Sequence, residues 1–496
     1  MNILRALALP LITTALAAPS RLPAQDLQVR PTKAQTGGHN TADSAVAALQ
    51  NDIPALMKEA EIPGLSIALV RDGKTYWSQS FGERDVATKA PVMEDTVFNV
   101  GSLSKPVFAY GVLKLVDQGK LGLDVPLTKY LLKPYVEGDD RLQQITARFV
   151  LSHRTGFPNW RGNDPLKIYF TPGERFSYSG EGMVYLQKVV EQITGKPLND
   201  YMQEAVFAPL GMTSSSYVWR KDFDQNSAIG HDAEGNPAEL FKPTEAVSAA
   251  SLETTTRDYA KFMEAVLAGT GLKQATLGAM ETPQIAVDPE CTNCTDRAPK
   301  GLSKNLFWGL GWGIQQTPQG KSLWHWGDNG VFKAYVVVMP DARSGVVMFT
   351  NSENGLSIAR TVIEDAVGGK QPAFAWLKYD NYDSPAMRFV RAVRKEGVSS
   401  ALKEFSASLM DGEIPENTLN QEGYSLMGRK QIADAILIFR KNVELHPASA
   451  NVYDSLGEAC MNDGQTDLAI QNYEKSLELN PQNTNAVAML KKLRGH

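Results

Sequence analysis

The chain has 496 residues, 43% hydrophobic and 21% charged, enough apolar material for two or three ordinary cores. Its 50 Lys and Arg against 55 Asp and Glu leave a net charge of −5, so no basic excess exists to neutralise phosphates, and nucleic acid is excluded as the main partner. No apolar run reaches the about 20 residues of a membrane span, and the six His form no H-E-x-x-H pattern, so neither a spanning helix nor a metal or other cofactor is expected.

The opening "MNILRALALPLITTALAAPSRLPAQ" reads as a secretory signal. Arg5 supplies the positive start and Ala6–Ala18 the short apolar run. Ala15 and Ala17 permit cleavage after Ala17, and "LPAQ" offers a second site near Ala24 or Gln25. Residues 1–24 are therefore taken as the signal, and a periplasmic or secreted protein is expected. From Ala42 "ADSAVAALQNDIPALMKEAEI" has helical spacing, and "GLSIALVRDGKTYWSQSFG" reads as two strands around an Asp72-Gly73 turn.

The stretch "FNVGSLSKPVF" places Ser102 and Ser104 beside Lys105, where an apolar helix begins. Residues three apart on a helix share a face, so Ser102 can meet Lys105, whereas Ser104 points about 100° away. A serine at a helix N-terminus also gains from the dipole, which favours developing negative charge. Taken alone, Ser102 is either a helix cap or a nucleophile with an amine base.

A largely helical region follows to about Gly271. Within it "PGERFSYSGEG" puts Tyr178 in a Ser/Gly-rich loop. Cys291 and Cys294 form a C-x-x-C in a polar loop, where a local disulfide suits an oxidising compartment. Cys460 has the setting of a packed small side chain. Antiparallel strands come next, with turns expected at Gly320 and Ser344-Gly345, and His325 on an edge strand ending in Gly327. The helix "GLSIARTVIEDAVGG" closes the region at about Gly369, and 370–381 is read as a linker. Strands at both ends and helices between predict an α+β fold in which the first and last segments share one sheet.

The C-terminal part repeats. Residues 416–449 laid over 450–483, a shift of 34, put Gly423 on Gly457, Ala435 on Ala469, Phe439 on Tyr473 and Pro447 on Pro481. This period and phasing resemble the tetratricopeptide repeat, with 382–415 as a degenerate first unit and 484–496 as a capping helix. An all-α solenoid able to hold a protein partner is implied.

The region 42–369 resembles the serine β-lactamase and penicillin-recognising family, in its class C and esterase branch. The resemblance is carried by "DTVFNVGSLSKPVFAYGVLKLVDQGKLGLDVPLTKYL", "ITARFVLSHRTGFP", the segment containing "FSYSGEGMVYLQ", "TTTRDYAKFM", "FWGLGWGI" and "HWGDNGVFKAYVVVMPDARSGVVMFTNS", in family order. It implies a β-lactamase-like antiparallel sheet flanked by helices, with Ser102 as acylated nucleophile, Lys105 as activating amine and Tyr178 as proton shuttle. His325 with Gly327 would form the third motif, and the backbone N–H groups of Ser102 and Asp328 the oxyanion hole.

Two departures bear on substrate. The family's Tyr-x-Asn is here Tyr178-Ser179-Gly180, which removes the side chain that holds an acyl-side amide; an Asn at this substrate-binding position would be expected to restore it. His325 stands where a permanent Lys charge would meet a β-lactam carboxylate. The expected activity is therefore ester hydrolysis, ahead of D-amino-acid peptide or amide hydrolysis and weak β-lactam hydrolysis. The rival from another class is a non-catalytic cell-wall-peptide recognition protein with a repeat scaffold. Survival of Ser102, Lys105 and Tyr178 together favours the enzyme.

Overall fold

The structure, a computed structural model, describes residues 42–495; the segment read as a signal lies outside them. Among the described residues eleven strands occur: β1 (Gly64–Arg71), β2 (Lys74–Asp85), β3 (Ala90–Pro91), β4 (Phe98–Asn99), β5 (Glu253–Thr254), β6 (Ile285–Ala286), β7 (Leu306–Trp308), β8 (Gly313–Thr317), β9 (Gly320–Asp328), β10 (Lys333–Met339) and β11 (Ser344–Thr350). Nine form one antiparallel sheet in the order β3-β2-β1-β11-β10-β9-β8-β7-β6, and β4 pairs with β5. Strands β1 and β11 are neighbours, with Leu65 opposite Thr350 and Val70 opposite Gly345, so the two ends of the region share the sheet as expected.

Side chains alternate along a strand, so a sheet covered on both faces needs apolar residues at every position. The runs "AYVVVM" and "GVVMFT" meet that requirement: all seven residues of β10 and of β11 are buried. Val336, Val338, Val347 and Phe349 pack against the middle helical region, including Ser104–Asp117 and Thr256–Ala268. Val337, Met348 and Trp324 pack on the other face with the helices Ala42–Glu59, Ala359–Val367 and Pro372–Leu377.

Three expectations change. Strand β9 lies between β8 and β10, so His325 is on an interior strand; it is also covered on both faces, with Leu323 packed on one and Trp324 and Trp326 on the other. The last hairpin turns at 340–343, and Ser344 and Gly345 already belong to β11. The stretch 370–381 carries the Pro372–Leu377 helix, whose Ala373, Phe374 and Trp376 are buried in the sheet's outer core, and Trp376 Nε1 donates to Asp288 O at 2.7 Å.

Helices Pro385–Glu396, Val398–Glu404 and Ser406–Met410 precede the repeats. Two helical hairpins then follow, Glu416–Gly428 with Ile432–Leu445 and Ala450–Asn462 with Thr466–Leu479, and helix Thr484–Arg494 ends the array. The repeated glycines have a packing cause. A Cβ on Gly423 would stand 2.4 Å from the Phe439 ring, and one on Gly457 3.1 Å from the Tyr473 ring. The C-terminal helices also touch the main body: Arg394 of the helix before the repeats pairs with Glu61 at 3.0 Å, and Ser425 Oγ of the first repeat donates to Glu234 at 3.0 Å.

Candidate active site

The turn Gly101–Leu103 leads directly into the helix starting at Ser104, and this start fixes the two serines differently. Lys105 Nζ donates to Ser102 Oγ at 2.8 Å and to Ala249 O at 2.7 Å. Ser104 is fully buried; its hydroxyl donates to Gly101 O at 2.6 Å and accepts from Leu252 N at 3.0 Å. Ser102 is half-buried and lines a pocket of about 310 Å³. Lys105 is wholly buried, and the loss of solvation lowers its amine to about 7. A neutral amine is thus accessible at ordinary pH, in contact with one serine only.

Tyr178 packs against this amine, with Nζ 4.8 Å from its ring centre. Burial raises the phenol well above its ordinary range, and the nearby Ser102 hydroxyl partly offsets that rise. Among the described residues no group meets strict hydrogen-bond geometry with the phenol oxygen, which is therefore buried and unpaired. The loop carrying Tyr178 is tied down on both sides. Tyr178 N donates to Thr292 O at 2.8 Å, Ser177 N to His153 O at 2.8 Å and Ser179 N to His153 Nδ1 at 3.0 Å. Thr292 lies between Cys291 and Cys294, which form a disulfide. Opening it by Cys291→Ser with Cys294→Ser should loosen Tyr178 and lower hydrolytic turnover about threefold to tenfold, read as kcat with little change in thermal midpoint.

His325 lies one layer behind. It is fully buried, its Nδ1 faces Trp326 O at 2.8 Å, its Nε2 has no partner among the described residues, and burial followed by the Lys105 charge lowers it to about 3. The ring is therefore neutral and 6.0 Å from that of Tyr178, centre to centre. Gly327 serves close approach, since a Cβ there would stand 2.1 Å from Val100 O. Gly101, at φ +50°, meets the same strand end: its Cβ would lie 3.2 Å from Asp328 N. The N–H of Asp328 is thereby set beside the Ser102 turn. Asn99 braces this junction, accepting from Gly101 N at 3.0 Å and Asn329 Nδ2 at 2.7 Å and donating to Glu253 at 2.6 Å. Burial pushes Glu253 up to about 8.

Gly180 begins the helix Gly180–Thr194 and is not among the left-handed glycines. Its N–H donates to Asn159, and a Cβ would meet the Trp160 ring at 2.7 Å and Asn159 O at 3.0 Å. Trp160 thus occupies the space of the missing side chain, so Gly180→Asn cannot restore an amide contact without displacing the indole. Sequence reasoning did not single out Asn159, Trp160, Asn293, Trp326, Leu377 and Tyr379, all of which line the pocket, nor His153, which holds the Tyr178 loop. The available signal was aromatic residues in polar loops, as in "FPNWRGND" and "AWLKYDNY".

Comparison with known proteins gives the family and the fold. The Beta-lactamase family pattern matches residues 49–366, and the tetratricopeptide repeat pattern matches 450–483. Penicillin-binding protein 4* of Bacillus subtilis (strain 168) is 22% identical over 404 residues, covering 75% of this chain and 85% of that protein. Protein flp of Staphylococcus aureus (strain MRSA252) is 25% identical over 205 residues, covering 38% of this chain and 41% of flp. Two solved structures share the fold. They are D-alanine carboxypeptidase AmpC from Burkholderia cenocepacia (TM-score 0.55, 21% identity, 66% of this chain, 99% of that one) and a mutant class C beta-lactamase (0.56, 21%, 66% and 98%). The chain belongs to the beta-lactamase family of serine hydrolases and carries a tetratricopeptide repeat near its C-terminus.

Proposed function

We propose that the protein is a secreted or periplasmic hydrolase that cleaves carboxylic esters through an acyl-enzyme on Ser102. The observation that carries this reading is the 2.8 Å contact between Ser102 Oγ and a buried amine lowered to about 7. Lys105 takes the proton as Ser102 Oγ attacks the carbonyl carbon. The oxyanion then sits between the N–H groups of Ser102 and Asp328, an arrangement that stabilises such intermediates by about 3 kcal/mol per donor. Tyr178 passes the proton to the departing alkoxide, and water releases the acyl group by the reverse sequence. His325, neutral and buried behind Tyr178, presents no fixed cation to a β-lactam carboxylate. The Cys291–Cys294 disulfide suits an oxidising compartment. The repeats give the chain a surface for a protein partner.

A specific observation favours amide or D-amino-acid peptide hydrolysis as the second reading: Asn159 and Asn293 line the pocket, and either side chain can meet an acyl-side amide. The test is kcat/KM for a p-nitrophenyl ester, a D-Ala-D-Ala peptide and a penicillin. With Trp160 in place of the amide-holding side chain, the ester should exceed the penicillin by about tenfold to hundredfold. A faster peptide selects the second reading, and a faster penicillin overturns both.

A further inference from the structure

Asp328 would supply an oxyanion-hole N–H, yet it carries a carboxylate at the mouth of a pocket where negative charge must develop. The structure shows how that carboxylate is held. Its Oδ1 accepts from Lys333 Nζ at 2.5 Å and from Gly330 N at 3.1 Å, and its Oδ2 accepts from the Tyr379 hydroxyl at 2.5 Å. Lys333 is buried on β10, opposite Asp328 in the strand register. Tyr379 comes from elsewhere. It follows the Pro372–Leu377 helix, just past Lys378, whose left-handed backbone at φ 58° turns the chain back toward the pocket. Burial and then the Asp328 charge keep the phenol protonated, so it stays a donor.

The segment bearing Tyr379 is anchored at both ends. Before it, Trp376 is buried and bonded to Asp288 O. After it, Tyr382 N donates to Ser357 O at 3.0 Å, and Arg391 of the first helix beyond donates to Tyr382 O at 2.7 Å. Tyr379 also faces two spaces. One is the Ser102 pocket; the other is a cleft of about 690 Å³ that reaches Arg394 and Gln421 of the C-terminal helices and shares Asp328 and Tyr379 as walls.

We propose that Tyr379, supplied by the segment joining the hydrolase body to the C-terminal helices, is a positioning residue for the oxyanion hole: with Lys333 it holds the Asp328 carboxylate so that the Asp328 N–H faces the carbonyl bound at Ser102. The inference rests on the reading of Asp328 N–H as an oxyanion donor. Without the Tyr379 hydroxyl the carboxylate keeps its Lys333 and Gly330 bonds through Oδ1 alone, and Oδ2 is left to carry charge toward the pocket, where it opposes the oxyanion at low local dielectric. The C-terminal segment is then part of the catalytic machinery.

The test is a double-mutant cycle in the full chain, with Tyr379→Phe, Asp328→Asn and both together, reading kcat and KM for a p-nitrophenyl ester. Tyr379→Phe retains the ring and should lower kcat about tenfold with KM within about twofold, the loss expected of one charge-assisted hydrogen bond. In the Asp328→Asn background no charge remains to be held, so the same change should cost less than about twofold. An unchanged kcat in Tyr379→Phe overturns the proposal, as does an equal loss in both backgrounds, which would mark a merely structural role. Absence of Ser102 acylation in the parent protein would overturn the underlying reading, and this inference with it.

Discussion

Ser102→Ala is expected to abolish acyl-enzyme formation, lowering ester turnover about 10⁴-fold or more, while leaving the fold intact. Ser104→Ala is expected to retain turnover within about tenfold and to cost about 1–3 kcal/mol of stability. The difference follows from their settings. Ser102 is half-buried, faces the pocket and touches Lys105 Nζ at 2.8 Å. Ser104 is fully buried and uses its hydroxyl to join Gly101 O to Leu252 N. Removing that hydroxyl leaves Leu252 N without its acceptor, while Gly101 O keeps the Ser104 backbone N–H, and it takes away no reacting atom. Thermal midpoint and kcat, measured together on both variants, separate chemistry from folding; equal loss of kcat in two folded variants would refute the assignment.

Lys105 gives the second large effect. In the parent protein kcat/KM should rise with pH through about 7, because the protonated amine below that point cannot take the Ser102 proton. His325, lowered to about 3, does not titrate in this window. Lys105→Met removes the base without adding charge and should cost about a thousandfold in kcat, leaving a residual rate that no longer rises through pH 7. Lys105→Arg should lose as much activity and also destabilise by about 3 kcal/mol, since a guanidinium cannot shed its charge in a site of 0% exposure. A Lys105→Met profile that still rises through pH 7 would assign the titration to another group.

The Ser102–Lys105 pair was legible because a three-residue helical spacing is a local property. Tyr178 was legible only through the family resemblance, and the structure brings it to the amine by packing. What the sequence hid came from long-range contacts. His153 and Thr292 hold the Tyr178 loop from distant segments, a relation that no local pattern encodes. The edge-strand reading of His325 failed because β9 pairs with β8 on one side and β10 on the other, a long-range relation; the local sign was burial on both faces, Leu323 on one and Trp324 and Trp326 on the other. The linker reading of 370–381 gave too little weight to Phe374, Trp376 and Tyr379, which are too apolar for a solvated connector. The repeats were the most legible part, since Gly423 and Gly457 answer to Phe439 and Tyr473 within the same helical hairpins.

The most direct test of the central claim is intact-mass analysis of the protein after brief exposure to a slowly released ester, followed by peptide mapping of the adduct. The account predicts one acyl group per chain, on Ser102, absent from Ser102→Ala and formed more slowly below pH 7. An acyl group on Ser104 or on any other residue, or ester turnover that persists undiminished in Ser102→Ala, would contradict it.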